Sequence, residues 1–307
     1  MIEGQLKRGA RRASYQLNST LERFGLRLMW TSNVVIDLRE VAQEPIEACY
    51  RSHGKSFLFD VPLERCRILS ASAFSCARDS GNPFIDTLRL HAAGQCDRFT
   101  GSPLEAYYQS WQPRSAAEVL GLDESAGGPL ACAPPLGFTF PWSALGIDES
   151  LAHWESIIEA DNREHGLKST ASLGWKAWGP VDASVGEMEF RRLLAVYDSI
   201  AANGYKRNAS WGGDVGGLAL VNEASDFRVL VSAGHHRVAA VAALDYQTVP
   251  IRFVNALIRR SEISYWPGVR SGLFSRTQAE AVFDRIFEGC QPSGYSSAQS
   301  IGAVKHG

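Results

Sequence analysis

Two histidines and an arginine follow a glycine at the point where the sequence predicts that a helix begins. These residues are Gly234, His235, His236 and Arg237. The first turn of a helix presents unpaired backbone N–H groups and the positive end of the helix dipole, which favour a bound anion. The planar guanidinium of Arg237 can donate two hydrogen bonds to one phosphate. The sequence therefore predicts a phosphate site here; the alternative is that the histidines only cap and pack the helix.

The segments around this turn explain why a helix is expected after it. Residues 229–231 form an apolar run that is short enough for a buried strand. Gly234 permits a turn that other residues would resist. Residues 236–244 are rich in alanine and favour a helix, and the β-branched segment 248–253 predicts a returning strand. The expected local structure is strand, tight turn, helix, strand.

This pattern resembles the ParB/sulfiredoxin superfamily, in which a Gly-x-x-Arg turn between a strand and a helix holds the phosphates of a nucleotide. The resemblance covers residues 175–260 and rests on the turn 234–237, on Ala239-Ala240 and on Val249-Pro250-Ile251. Residues 193–204 are similar to the helix that precedes the core in that family. The resemblance implies an α+β fold with a mixed sheet, and a nucleoside di- or triphosphate with Mg²⁺ as the bound cofactor.

The branches of this superfamily differ at the turn. Sulfiredoxins have a cysteine where this chain has His235, so repair of a sulfinic acid is not supported. DNA-partition proteins carry a helix-turn-helix module after the core, and too few residues follow Arg252 for such a module. A third branch phosphorylates free serine and has a Gly-His-x-Arg turn, which residues 234–237 match. In those kinases an acidic residue precedes the glycine, whereas Ala233 stands here.

The resemblance to the serine kinases also implies a catalytic glutamate in the loop before the first core helix. The corresponding segment is 179–189, and its candidate bases are Glu187 and Glu189. The alternative is that these carboxylates stabilise the dipole of a helix that begins nearby. Arg270, in a loop flanked by glycines, is a further candidate ligand of the phosphates, or else a solvated side chain.

Composition limits the classes of protein to consider. The chain has 307 residues, of which 45% are hydrophobic and 21% charged, as in an ordinary globular protein. A net charge of −2 gives no general attraction to nucleic acid, so a nucleic-acid partner is not expected. No secretory signal or long apolar run is visible, and the six scattered cysteines show no zinc-ligand spacing, so a cytoplasmic protein is expected.

The N-terminal segment differs from the rest of the chain. Residues 5–29 have apolar residues at steps of three and four and six basic side chains, which predicts a basic amphipathic helix. Such a helix can attach peripherally to an anionic membrane, here the inner membrane surface, or dock on its own protein. The predicted organisation is this helix within 1–29, a separate α/β region at 30–150, and the ParB/sulfiredoxin-like domain at 175–290.

Other elements are predicted along the chain from local patterns. Strands are expected at 33–38 and 56–62, and helices at 86–91, 104–111, 150–164 and 279–287, the last after a capping box at Ser275 and Gln278. Residues 121–142 are expected to be irregular, and residues 212–217 to form a hairpin turn beside the site. Trp175 and Trp178 are expected to pack between the two regions; stacking on a ligand is the alternative.

Together these patterns favour a nucleotide-binding protein, with phosphoryl transfer to a small hydroxylated metabolite or sugar as the leading hypothesis. Glu187, Glu189, His235 and His236 are the candidate catalytic residues, and no metal-ligating residue of the chain is predicted. The alternatives are a nucleotide sensor or scaffold without enzymatic activity, and a DNA-binding or nuclease-like relative.

Overall fold

The structure of the protein is a computed structural model that describes residues 35–77, 79–123, 128–207 and 213–295, without the side chains of residues 255 and 256. The predicted basic helix within residues 1–29 lies outside the described residues, so its membrane contact stays a prediction. The described residues from Val35 onward belong to one compact unit. None of the helices in these described ranges is long and apolar enough to span a membrane.

The described residues form a mixed α/β structure of strands, α-helices and short 3-10 turns. The strands are β1 (Ile36–Asp37), β2 (Phe57–Pro62), β3 (Cys66–Ile68), β4 (Phe74–Ser75), β5 (Val215–Val221), β6 (Phe227–Ala233) and β7 (Thr248–Arg259). The helices are α1 (Pro45–Ser52), α2 (Pro83–Ala92), α3 (Pro103–Ser110), α4 (Ala116–Leu120), α5 (Pro129–Cys132), α6 (Ile147–Glu164), α7 (Ala183–Asn203), α8 (His235–Ala243), α9 (Pro267–Arg270) and α10 (Arg276–Glu288).

All seven of these strands lie in one sheet, in the order β1-β2-β7-β5-β6-β3-β4. The pairs β1–β2, β5–β7 and β3–β6 are parallel, and the pairs β2–β7, β5–β6 and β3–β4 are antiparallel. Phe57 and Phe253 face each other across β2 and β7, with their rings stacked at a centroid distance of 5.1 Å. Such aromatic cross-strand pairs stabilise the register of the sheet.

This sheet corrects the predicted separation of regions 30–150 and 175–290. Strands β1–β4 come from the first region and β5–β7 from the second, yet β2 pairs with β7 and β3 pairs with β6. The two regions therefore share one sheet and one core. The proline and glycine residues of segment 121–142 mark it as irregular in the sequence, but it contains the short helix α5 and the 3-10 turn Pro135–Gly137. Pairing between distant strands leaves no such mark in the local sequence.

Several local predictions are confirmed. The helix expected at 104–111 is present as α3, and the Ser102 hydroxyl caps it by accepting a hydrogen bond from the backbone N–H of Glu105. Ser275 and Gln278 form the expected capping box at the start of α10. The strand, turn and helix of the proposed phosphate site are present as β6, Gly234 and α8, followed by β7.

Two local predictions near the site are wrong. Residues 215–217 were expected in a hairpin turn, but they begin strand β5. The helix expected at 193–204 begins ten residues earlier, at Ala183, where the Asp182 carboxylate caps it by accepting a hydrogen bond from the backbone N–H of Ser184. Glu187 and Glu189 therefore lie in the helix and not in a loop before it. A side-chain cap satisfies the first N–H groups and so fixes the helix start.

Candidate functional site

Gly234 makes the sharp turn that joins β6 to α8. Its φ of 86° lies in the left-handed region, which glycine adopts at low cost. A Cβ atom at this position would lie 2.9 Å from Nη2 of Arg237 and 3.1 Å from Cγ2 of Val215, so space is also limited. Because glycine has no side chain, the helix start receives no side-chain cap. The first N–H groups of α8 are thus left for another partner.

His236, the second residue of α8, is held by a buried carboxylate. Its Nε2 lies 2.7 Å from Oε2 of Glu189 on α7, and only 1% of the Glu189 side chain is exposed. The imidazole also stacks on the ring of Phe84 from α2, at a centroid distance of 5.3 Å and an interplanar angle of 4°. Contacts to two helices therefore fix the orientation of this histidine.

Glu189 is the centre of a chain of charges. Besides His236, it accepts a hydrogen bond at 2.9 Å from Nη1 of Arg192, and Arg192 also contacts the carboxylate of Asp161 on α6 at 3.0 Å. Burial raises the pKa of Glu189, but the hydrogen bond and charge of His236, with the charges of Arg192 and Lys176, outweigh burial and lower it to about 2. Glu189 is therefore an ionised anchor for His236. A carboxylate of so low a pKa is a poor general base near neutral pH.

His235 has a different environment. The backbone N–H of Leu69 donates to its Nδ1 at 3.3 Å. Burial, together with the positive charges of Lys176 and His236, lowers the pKa of His235 to about 3, although Glu189 acts in the opposite direction. The ring is therefore neutral near pH 7. Leu69 and the next residue, Ser70, hold left-handed φ values of 62° and 54°, a strained geometry of the kind that recurs beside functional sites.

These contacts determine which nitrogen carries the proton in the imidazole rings of His235 and His236. A carboxylate can only accept, so Nε2 of His236 carries a proton, and Nδ1 is the nitrogen of that ring that is left for another partner. In His235 the accepting atom is Nδ1, so the proton of the neutral ring is on Nε2. In its neutral form His236 can therefore accept a proton at Nδ1 from a bound molecule, whereas His235 can donate a hydrogen bond to one.

A cavity of about 720 Å³ opens at the start of α8. Its lining includes five basic residues, Lys176, Arg192, His235, His236 and Arg237. Among the described residues Lys176 makes no ion pair, so its charge is available to a bound anion. Burial of a cation beside other cations is unfavourable unless an anion neutralises them.

The cavity is also lined by aromatic side chains. Phe140, Trp154 and Trp175 line it, and the rings of Trp154 and Trp175 lie 4.8 Å apart between centroids. Trp175 is 7% exposed, so it belongs to the core, as expected, and at the same time forms part of the cavity surface. The indole and phenyl faces provide a surface on which a flat heterocycle can stack.

Arg237 lines the cavity, but its guanidinium is already engaged. Its Nη1 donates to the carbonyl oxygen of Gly213, and its Nη2 donates to the carbonyl oxygen of Asp214 at 3.2 Å. Arg237 therefore ties α8 to the segment that enters β5. The bidentate contact with phosphate that was predicted from the sequence would require Arg237 to release these two carbonyl groups.

Two predicted site residues lie elsewhere. Glu187 is partly exposed on α7 and pairs with Arg191 at 2.8 Å, and it is not among the residues that line the cavity. Arg270 is exposed at the end of α9 and does not line the cavity either. Neither is brought to the start of α8. Glu189, two residues further along α7, faces the interior instead, because successive side chains of a helix are rotated by about 100° around its axis.

The sequence did not identify Lys176, Arg192 or Trp154 as site residues. Lys176 is a single basic residue between two tryptophans, and Arg192 lies in a helix with several charges. The available signal was the position of Trp175, for which stacking on a ligand was one of the two interpretations. These residues come together only through contacts between α6, α7 and the segment that carries Trp175 and Lys176.

The cavity residues do not fit a site at which the protein itself holds Mg²⁺. Mg²⁺ prefers carboxylate and phosphate oxygens, and no carboxylate is among the described residues that line the cavity. Nor do the described ranges contain a cluster of three or more histidine, cysteine, aspartate or glutamate side chains placed to hold a metal. The cavity offers cations, and not metal ligands, to a bound molecule.

No cysteine is among the described residues of the cavity lining. Cys66 is fully buried in β3, and burial raises the pKa of its thiol to about 12. Such a thiol is inert near neutral pH, because the thiolate is the nucleophile.

Comparison of the chain with protein-family models, with curated proteins and with solved structures found no match. The described fold and site define a mixed α/β protein with a basic and aromatic cavity at a helix start. The resemblance to the ParB/sulfiredoxin superfamily therefore stays an interpretation of residues 175–260.

Acid should destabilise the protein in two pH ranges. The pKa of His235 is lowered from 6.5 to about 3 in the folded protein, so its contribution is complete above about pH 6.5 and is lost as the pH falls toward 3. The pKa of Glu189 is lowered from 4.5 to about 2, so its contribution is lost below about pH 4.5. Urea unfolding at pH 7 and pH 5 should show lower stability at pH 5. The His235→Asn variant should lose less stability than the wild type over this interval; an equal loss contradicts the assignment.

Proposed function

We propose that this protein binds a nucleoside di- or triphosphate in the cavity and transfers a phosphoryl group from it to the hydroxyl of a small molecule. The observation that carries this proposal is the pairing, in one cavity, of a basic helix start with an aromatic surface. Phosphates suit the basic residues, and the base suits the aromatic side chains. The volume of about 720 Å³ is in the usual range for sites that enclose a small molecule.

The phosphates would lie at the first turn of α8. The free N–H groups of that turn, the Nε2–H of His235 and the ammonium group of Lys176 are donors of the type that binds phosphate oxygens. Lys176 and Arg192 supply positive charge, and charge of this kind stabilises the negative charge of the transferring group. Arg192 and Arg237 already have fixed hydrogen-bond partners. These two cavity residues would therefore orient the site without changing their own conformation.

His236 is the proposed general base. The acceptor's hydroxyl oxygen attacks the terminal phosphorus, the bond from that phosphorus to the bridging oxygen breaks, and the hydroxyl proton passes to Nδ1 of His236. Glu189 accepts from Nε2 on the other side of the ring and stabilises the imidazolium that forms. This role replaces the one predicted from the sequence, in which Glu187 or Glu189 takes the proton directly.

Replacement of Lys176 tests the binding part of the proposal. Lys176→Ala should weaken binding of ATP or CTP roughly ten- to a hundred-fold, because a charge-assisted hydrogen bond to phosphate contributes about 1.5–3 kcal/mol. Lys168→Ala is a matched control: it removes the same charge from an exposed position outside the cavity and should leave affinity unchanged. Isothermal titration calorimetry measures both. Equal affinities of the two variants would contradict the placement of the phosphates.

A further inference from the structure

A second, smaller cavity of about 330 Å³ adjoins the first. It is bounded by the beginning of β5, the end of β6 and the middle of β7. Leu218, Ser232 and Ala233 line both cavities. Because Ala233 immediately precedes the turn at Gly234, the smaller cavity ends one residue before the turn at which the phosphates would lie.

Arg252 is the cation of this smaller cavity. It lies on β7 beside Gly216 of β5 in the sheet register, and its side chain lines the cavity. Its Nε is buried and has no hydrogen-bond partner. Among the described side chains, two other nitrogen atoms are buried without a hydrogen-bond partner, Nε1 of Trp111 and Nε1 of Trp142. Neither of these residues lines the smaller cavity.

The other charged group of this cavity is already neutralised. The Asp214 carboxylate accepts two hydrogen bonds from Arg207, at 2.6 and 3.1 Å, and its side chain is 5% exposed. Among the described residues Arg252 makes no ion pair. Among the described residues, Arg252 is therefore the charged group of this cavity without an ion pair, and its buried Nε–H lacks an acceptor, which is unfavourable.

We infer that the smaller cavity is the acceptor subsite, and that the acceptor carries an anionic group, a carboxylate or a phosphate, bound by Arg252. This inference rests on the proposed function and narrows it to hydroxylated molecules that carry such a group. The anion is anchored at Arg252, while the hydroxyl of the same molecule lies toward Ala233 and Gly234, where the terminal phosphoryl group is placed. Gly216 lines the cavity beside Arg252 without a side chain, and a Cβ atom there would lie 3.1 Å from Oγ of Ser232, which also lines the cavity.

The signal of the Arg252 Nε–H group in ¹⁵N-labelled protein tests this inference directly. The signal is assigned by its absence from the Arg252→Lys spectrum. Inorganic phosphate and acetate are titrated separately into the full-length protein, with and without saturating ADP. A saturable shift with either anion supports the inference, and the anion that produces it identifies the group as phosphate or carboxylate. No shift with either anion overturns it, as does a shift that ADP abolishes, because the anion would then occupy the nucleotide site.

Calorimetry separates this inference from the proposed nucleotide site. Arg252→Gln should bind the effective anion at least ten-fold more weakly in the presence of ADP, and its affinity for ADP should equal that of the wild type. Arg270→Gln, which removes an exposed arginine outside both cavities, should match the wild type in both measurements. If Arg252→Gln weakens ADP binding as much as anion binding, a separate acceptor subsite is contradicted. If no nucleotide binds at all, the proposed function fails, and the anion titration without ADP still reports on Arg252.

Discussion

Replacing Glu189 with glutamine should lower the free energy of unfolding by about 3 kcal/mol. The substitution keeps the size of the side chain but removes the charge that holds His236 and Arg192. Loss of one partner from a buried ion pair costs about 3–5 kcal/mol, because the remaining charge is left without compensation. The lower end of that range applies here, since Arg192 keeps its contact with Asp161.

Glu187→Gln is the matched control for this substitution. Glu187 lies on the same helix, two residues earlier, and pairs with Arg191, but its side chain is 39% exposed and that of Arg191 is 76% exposed. An exposed pair of this kind contributes less than about 1 kcal/mol. Urea unfolding of both variants at pH 7 gives the comparison. Equal destabilisation by the two substitutions would contradict the buried anchor at Glu189.

Replacing His236 with glutamine should lower the rate of phosphoryl transfer by about a hundred-fold or more, the usual size of a general-base effect. Glutamine can still donate a hydrogen bond to Glu189, so the helix start should keep its geometry and nucleotide affinity should change little. The measurement follows phosphate transfer from ATP to a pool of small hydroxylated acids and sugar phosphates, with the wild type and the variant at equal concentration.

His91→Gln is the control for the loss of a histidine. The ring of His91 on α2 contacts Asp198 at 3.1 Å, as His236 contacts Glu189, but it lies outside the cavity. Transfer by this variant should equal that of the wild type. Undiminished transfer by His236→Gln would remove this residue from the mechanism. Nucleotide binding without transfer by the wild type would favour a nucleotide sensor.

The sequence predicted the local structure of the site because that structure depends on neighbouring residues. The apolar run of β6, the glycine at 234 and the alanines of α8 each act within a few positions. The start of α7 was misplaced because its cap, Asp182, lies in a segment with several turn-forming residues. Because of this error, Glu187 and Glu189 were expected in a loop, and nothing distinguished one from the other as the candidate catalytic base.

The rest of the site could not be predicted because it depends on contacts between distant segments. Glu189 meets His236 only where α7 packs beside α8, and the two are 47 residues apart. Leu69 orients His235 across 166 residues. Arg237 was expected to be free for a ligand, but its partners are backbone carbonyl groups, which carry no signature in the sequence.

A crystal structure of the protein with a non-hydrolysable nucleoside triphosphate tests the central claim most directly. The account predicts phosphate oxygens within about 3 Å of the backbone nitrogens in the first turn of α8, as expected for hydrogen bonds. It also predicts Lys176 beside the phosphates and the base against Trp154 or Trp175. A nucleotide bound elsewhere on the protein, or a cavity that stays empty at concentrations well above those of the cell, would contradict it.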